Sequence, residues 1–216
     1  MGRGRQNHRF QSHGEAAQGD PDRSRGDGQN ARANESQGLN PPTLLSRRLS
    51  LKPCEVSDYQ EVADMWADEA VVKHIGGRTR DAQDAWFAQL RNRGMWPLLG
   101  YGYWIVRERR TDVFVGEVGF ADFKRGIEPD ISGRPEAGWV IAKSAWGKGY
   151  ASEAVKAAHD WLDDTMPGRS TCIIDPDNSA SIAVAQKVGY SEVGPTDYRG
   201  DPVLLFERYS TAAGKS

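Results

Sequence analysis

The 216-residue chain is poor in the residues that staple small folds or hold metals: two cysteines, Cys54 and Cys172, and four histidines, His8, His13, His74 and His159. Two cysteines build neither a disulfide framework nor a thiolate cluster, and they suit a reducing compartment such as the cytoplasm. No two histidines stand at metal-ligand spacing, so no metal site is expected. A dominant sign of charge is also missing. The 28 Lys and Arg face 30 Asp and Glu, a formal net charge of −2, which removes the electrostatic case for nucleic acid or a membrane surface as partner. No apolar run approaches the ~20 residues that span a bilayer. The start, Met1-Gly2-Arg3-Gly4-Arg5-Gln6, has no apolar core for export and no Ser or Thr at position 6 for myristoylation. These absences leave one soluble globular domain with an appendage.

The appendage is residues 1–42, where Gly, Arg, Asn, Gln, Asp and Ser dominate and Phe10 and Leu39 are the large hydrophobics. Such a stretch buries too little to fold, so a disordered tail is expected. Its six arginines nearly balance five acids, so Gly2-Arg3-Gly4-Arg5 reads as a solvated segment rather than an RNA-touching arm. From Leu44 the pattern changes. Residues 47–52 alternate as a strand that Pro53 ends. Ser57 is placed to cap a helix reaching Ala67, with Val62, Met65 and Trp66 on one face. Thr79 or Asp81 caps a second helix carrying Trp86, Phe87 and Leu90. Strands follow at 101–107, at 113–123 with Gly116 and Gly119 marking a bulge or tight packing, and at 136–142. A helix near 147–164, a strand near 170–175, a helix near 179–188 and strands near 191–196 and 203–209 complete a mixed α+β domain over 43–210. Residues 211–216 form a short tail.

The segment between Ile141 and Ser152 carries the chemistry. Trp146-Gly147-Lys148-Gly149-Tyr150-Ala151 joins an apolar strand to a helix start. Glycines let the main chain come close to a ligand, successive N–H groups converge, and the helix dipole adds partial positive charge, so a phosphate-bearing cofactor is expected. The spacing is not that of a P-loop, because Gly149 rather than Ser or Thr follows Lys148. A dinucleotide fingerprint is excluded by Ser152.

About 30 residues on, Asn178-x-x-Ser181 opens a helix that ends in Lys187-Val188-Gly189-Tyr190. This pair of motifs resembles the GNAT N-acetyltransferases, and within them the RimJ/RimL-like branch of ribosomal-protein-alanine acetyltransferases. The likeness runs from Leu44 to Tyr209 and takes in Gly100-Tyr101-Gly102-Tyr103-Trp104, Val115-Gly116-Glu117-Val118-Gly119 and Glu136-Ala137-Gly138-Trp139. It implies a mainly antiparallel sheet of about seven strands flanked by about four helices, with the fourth and fifth strands splayed. It implies acetyl-CoA as donor, its diphosphate on the amides of Gly147, Lys148, Gly149, Tyr150 and Ala151. Val140 and Ile141 would bond the pantetheine arm as an added strand does, and Asn178 would hold its amide or thioester end.

Two departures stand out. Trp146 replaces a Gln or Arg common in the family. Ala185 stands where many members place a tyrosine as acid to the leaving thiolate. Ser181 is the proposed substitute, since a thiol of pKa ~8.5 needs little help to leave. For the base, Glu136 is the first candidate and Glu117 the second, each alternatively a strand carboxylate in an ion pair. His74 reads as a capping or packing residue, and His159 lies too far along its helix. Trp66, Trp86, Trp96, Trp104 and Trp139 either wall an acceptor pocket or fill the core. A protein N-terminal α-amine is the expected acceptor. Small amines (an aminoglycoside or a polyamine) and a noncatalytic acyl-CoA-binding module are the rivals. The oligomeric state is expected to be a monomer or homodimer.

Overall fold

The computed structural model describes residues 41–210, so the expected tail at 1–42, apart from Pro41 and Pro42, and the tail at 211–216 lie outside the described residues. The strands are β1 Leu44–Leu45, β2 Leu49–Pro53, β3 Tyr103–Glu108, β4 Phe114–Ala121, β5 Glu136–Ile141, β6 Arg169–Ile174, β7 Ser191–Tyr198 and β8 Asp201–Tyr209. They form one sheet in the order β1-β2-β3-β4-β5-β6-β8-β7. The eighth strand, beyond the seven expected, is the two-residue β1, which pairs with β2 at the edge. The helices are α1 Tyr59–Ala67, α2 Glu69–Val72, α3 Ala82–Leu99, α4 Tyr150–Thr165 and α5 Ser179–Lys187.

Neighbouring strands pair antiparallel except β5 and β6, which run parallel and meet at one register, Glu136↔Thr171. There the Thr171 N–H donates to the Pro135 carbonyl at 3.0 Å. Beyond this point β5 stays paired with β4 as far as Ile141↔Gly116, while β6 follows β8. The sheet therefore opens between β5 and β6 toward the carboxyl end of β5, in the place expected from the sequence.

Each sheet face has its own cover. On one, α4 buries Ala154, Val155, Ala158 and Leu162, a spacing that lines one helical stripe. Trp96, Trp104 and Trp161 pack edge to face beside it, with centroids 4.7–5.4 Å apart. Fully burying a Leu or Val here contributes about 1.5–3 kcal/mol. On the other face α1 sets Val62, Met65 and Trp66 against Ile105, Phe114 and Val140.

Several local expectations need correction. Ser57 is not a cap. A single 3-10 turn, Val56–Asp58, leads into α1, and the Asp58 carboxylate accepts the Glu55 N–H at 2.8 Å. Asp81, not Thr79, caps α3 by accepting the Asp84 N–H. The face α3 buries holds Ala85, Ala88, Gln89, Asn92, Met95 and Trp96, leaving Phe87 and Leu90 exposed. A polar Gln–Asn pair inside hid this face from a search for apolar spacing.

Candidate acyl-CoA site and acceptor face

The glycine turn stands at the open end of the splay. Gly147 and Gly149 have φ of 73° and 72°, in the left-handed region that favours glycine, and Gly149 occupies the N-cap position of α4 without a side-chain cap. The amides of residues 147–152 meet no acceptor among the described residues. They form a row of free donors at a helix N-terminus.

The turn is braced from beneath by the first helical turn. The Glu153 carboxylate accepts from Ser46 Oγ, the Arg48 N–H and Arg48 Nε, each at 2.7 Å. Burial opposes its charge, yet these donors outweigh it and hold the carboxyl below its ordinary range. Arg48 also donates to the Lys148 carbonyl at 2.9 Å and lies over the Tyr150 ring, whose hydroxyl donates to Glu108. The cradle is thus rigid before any ligand arrives, so little ordering remains for binding to supply.

A main chain in extended form points its hydrogen-bonding groups to alternate sides. Because Pro135 faces β6, so do Ala137, Trp139 and Ile141, whereas Gly138 and Val140 face β4. Of the two residues expected along the pantetheine arm, Ile141 turns its main chain to the opening, as Trp139 does, and Val140 turns its own toward β4. The Ile141 carbonyl receives the Trp146 indole at 2.7 Å. Across the opening, Asn178 caps α5, its Oδ1 accepting the Ser181 N–H at 3.1 Å. That leaves the Asn178 amide nitrogen as donor. The Ser181 hydroxyl accepts the Trp139 indole at 3.3 Å, so its own proton stays available. Ala185 is fully buried, and its carbonyl accepts the Tyr190 N–H at 3.1 Å.

The acceptor-facing surface follows from register. Tyr103, Gly119 and Gly138 are paired across three strands, as are Ile105, Glu117 and Val140, with Glu136 opposite Ala121. Glu136, Gly138, Tyr103 and Glu117 therefore share the α1 face. A Cβ on Gly138 would stand 2.1 Å from the Tyr103 hydroxyl, so the glycine is what admits the phenol to the lip of the splay.

Of the two readings of Glu136, candidate base or ion-paired strand carboxylate, the structure shows the pair: Arg125 holds it, with both oxygens on Nε at 2.7 and 2.8 Å and one on Nη2 at 2.6 Å. It sits buried at the closed end of the splay. Glu117 is buried too, accepting from the Trp66 indole at 2.8 Å and Asn92 Nδ2 at 3.3 Å. Burial pushes its carboxyl up, against those two donors and the nearby Arg80. Tyr103, Asn92, Arg80 and Arg125 were missed in the sequence. Only the two glycines facing Tyr103 hinted at them. His74 binds Asp175 at 3.1 Å. His159 is packed in the core, bonded to the Val155 carbonyl and the Tyr190 hydroxyl. Trp86 stacks edge-on against Tyr59.

Among the described residues no cluster of three or more His, Cys, Asp or Glu gathers to hold a metal, and no helix is long and apolar enough to cross a membrane. A family model described as an acetyltransferase (GNAT) domain matches residues 48–191. The chain belongs to the GNAT family. It falls in the class of acetyl-CoA-dependent N-acetyltransferases. The uncharacterized protein YkkB of Bacillus subtilis (strain 168) is 34% identical over 116 residues, which are 51% of this chain and 64% of YkkB, just under two thirds of its length. A solved chain from Bordetella pertussis described as a GNAT-family acetyltransferase is 27% identical. It superposes with a TM-score of 0.69 over 78% of this chain and 99% of its own. RimL, a ribosomal L7/L12 α-N-protein acetyltransferase solved with coenzyme A, shares the fold at 16% identity, with a TM-score of 0.64 over 79% of this chain and 99% of RimL.

Proposed function

We propose that this GNAT protein moves the acetyl group of acetyl-CoA onto a protein or peptide N-terminal α-amine, by direct attack within a ternary complex. The observation that carries the reading is the braced glycine turn, its amides unmet, at the mouth of a splay whose other end is closed. A diphosphate on residues 147–151 places the pantetheine arm along Trp139 and Ile141 and sends the thioester toward Gly138. The Trp139 N–H, pointing into the opening, polarises the thioester carbonyl and stabilises the tetrahedral oxyanion. Asn178 donates its amide nitrogen to the arm, and Ser181 gives its proton to the departing thiolate while taking up the one that the attacking amine loses, so the hydroxyl ends as it began.

An N-terminal amine of pKa ~8 is about one-tenth neutral at pH 7, a handicap near 1.4 kcal/mol, against about 4.6 kcal/mol for lysine at ~10.4. A site whose first candidate base is locked to Arg125 therefore suits an α-amine better than a lysine. In this reading Glu136 closes the splay and sets where the thioester stops. Release of CoA thiol with a panel of peptides, spermidine and an aminoglycoside tests the proposal. Turnover with a peptide and none with the polycations supports it. Coenzyme A binding without release by any amine favours the noncatalytic module, which the buried Ala185 also favours.

A further inference from the structure

Arg80, near the end of the glycine-containing link between α2 and α3, lies over the Trp66 ring, 3.3 Å from its centroid. It is half-buried, and burial pulls its pKa down despite the nearby Glu117. Its side chain finds no hydrogen-bond acceptor and no carboxylate within 4.0 Å among the described residues, while its N–H donates to the Trp66 carbonyl. Arginine is retained half-buried where its planar fork of donors has an anion to meet. Here no described residue supplies that anion within ion-pair reach, Glu117 acting on Arg80 only from a distance.

The neighbourhood has the same bias. Arg91 lies over Phe123 at 5.2 Å, and Arg125, already neutralised by Glu136, lies over Phe123 and Tyr198 at 4.7 and 4.5 Å. Glu117, the other buried carboxylate on this part of the face, is met by neutral donors, and the exposed Asp84 also lies near Arg80. A polycation entering here would meet Arg80 and Arg91, neither of which makes an ion pair among the described residues. An anion would find a fork already oriented by stacking.

We infer that Arg80 selects the acceptor, which is a primary amine bearing an anionic group. The inference rests on the proposed transfer and deepens it. Arg80 stands over Trp66, whose indole donates to Glu117 at 2.8 Å. Glu117 is one strand and two residues away from Gly138, where the thioester ends, an offset on the order of 8 Å. The α-carboxylate of a free amino acid is too close to its nitrogen to bridge that gap. The side chain of an acidic second residue in a peptide is the right distance out.

The test compares acceptor peptides beginning Ser-Glu, Ser-Gln and Ser-Lys with an ω-aminoalkyl phosphate and spermidine, on the full chain and on Arg80→Met and Arg80→Lys. The expected result is a kcat/KM for Ser-Glu about tenfold or more above Ser-Gln, with Ser-Lys lower still. Arg80→Met brings the Ser-Glu to Ser-Gln ratio near one through KM, and Arg80→Lys restores part of it. If the aminoalkyl phosphate outruns every peptide, the anion stands and its source is a small molecule. Equal rates across the three peptides, or spermidine as the best acceptor, overturn the inference while leaving acetyl transfer intact. So does an Arg80→Met loss that is alike for all peptides. Should the variant fail to fold, the peptide series on the unaltered protein decides alone. No release with any amine sinks both readings.

Discussion

His159 shows how a single side chain can be read correctly as noncatalytic and still matter. Burial lowers its pKa to about 4, with its two ring nitrogens committed to the Val155 carbonyl and the Tyr190 hydroxyl. A folded value below the ordinary 6.5 means the unfolded chain binds the proton first. Stability is therefore full above pH 6.5 and falls as pH drops toward 4, by up to about 3 kcal/mol. Asp163, held below its ordinary range by Arg208 despite its burial, adds to the loss at the acid end. The urea midpoint should fall across this window, and His159→Gln should flatten the fall. A flat wild-type profile would show that the histidine is not sealed. At the same scale, Ser181→Ala should lower kcat by no more than about tenfold, with KM for acetyl-CoA unchanged, because a thiol leaves with little help. A thousandfold loss measured by thiol release would mean the hydroxyl does more than relay a proton to a thiolate.

The glycine turn is an element-scale device, since its geometry belongs to two glycines and to the hairpin beneath them. At Gly149 a Cβ would meet Arg48 Nη2 at an ordinary 3.6 Å, so space does not forbid a side chain. The left-handed backbone does, at about 1–2 kcal/mol. Gly149→Ala should therefore lower stability by about that amount and weaken coenzyme A binding as the amides realign. Glu153→Ala removes the acceptor of three hydrogen bonds and leaves Arg48 unmatched. It should cost about 1–3 kcal/mol and raise the Kd for coenzyme A roughly tenfold, read by calorimetry. Unchanged affinity in both variants would mean that the diphosphate sits elsewhere.

For the whole molecule, the splay is held open by covalent topology rather than by any one residue. β5 remains on β4 and β6 on β8, and the two halves touch at Glu136 and Thr171. A ligand lying along the gap joins the halves. Coenzyme A at 100 times its Kd should then raise the unfolding free energy by about 2.7 kcal/mol, visible as a higher Tm. Adenosine diphosphate, which reaches the turn but not the gap, should stabilise less at equal concentration. Equal stabilisation by both would show that the pantetheine arm gains nothing from the opening.

Alternation at 47–52, the helical stripe of 150–162 and the glycine pair at 147 and 149 were legible in the linear chain, because period and backbone freedom are local properties. So was the order of elements, whereas the arrangement of the sheet followed from the resemblance to the GNAT family. What stayed hidden depends on contacts distant in sequence. That Glu136 is taken by Arg125, that Glu117 lies under Trp66 and Asn92, and that the main chain of Trp139 rather than Val140 faces the opening are facts of register and packing. The linear chain by itself determined the order of elements and the glycine turn, through patterns that need no partner. Only the tertiary structure decided which charges beside the splay are already paired and which guanidinium makes no ion pair among the described residues, because neutralisation is set by distance across strands and no spacing along the chain encodes it.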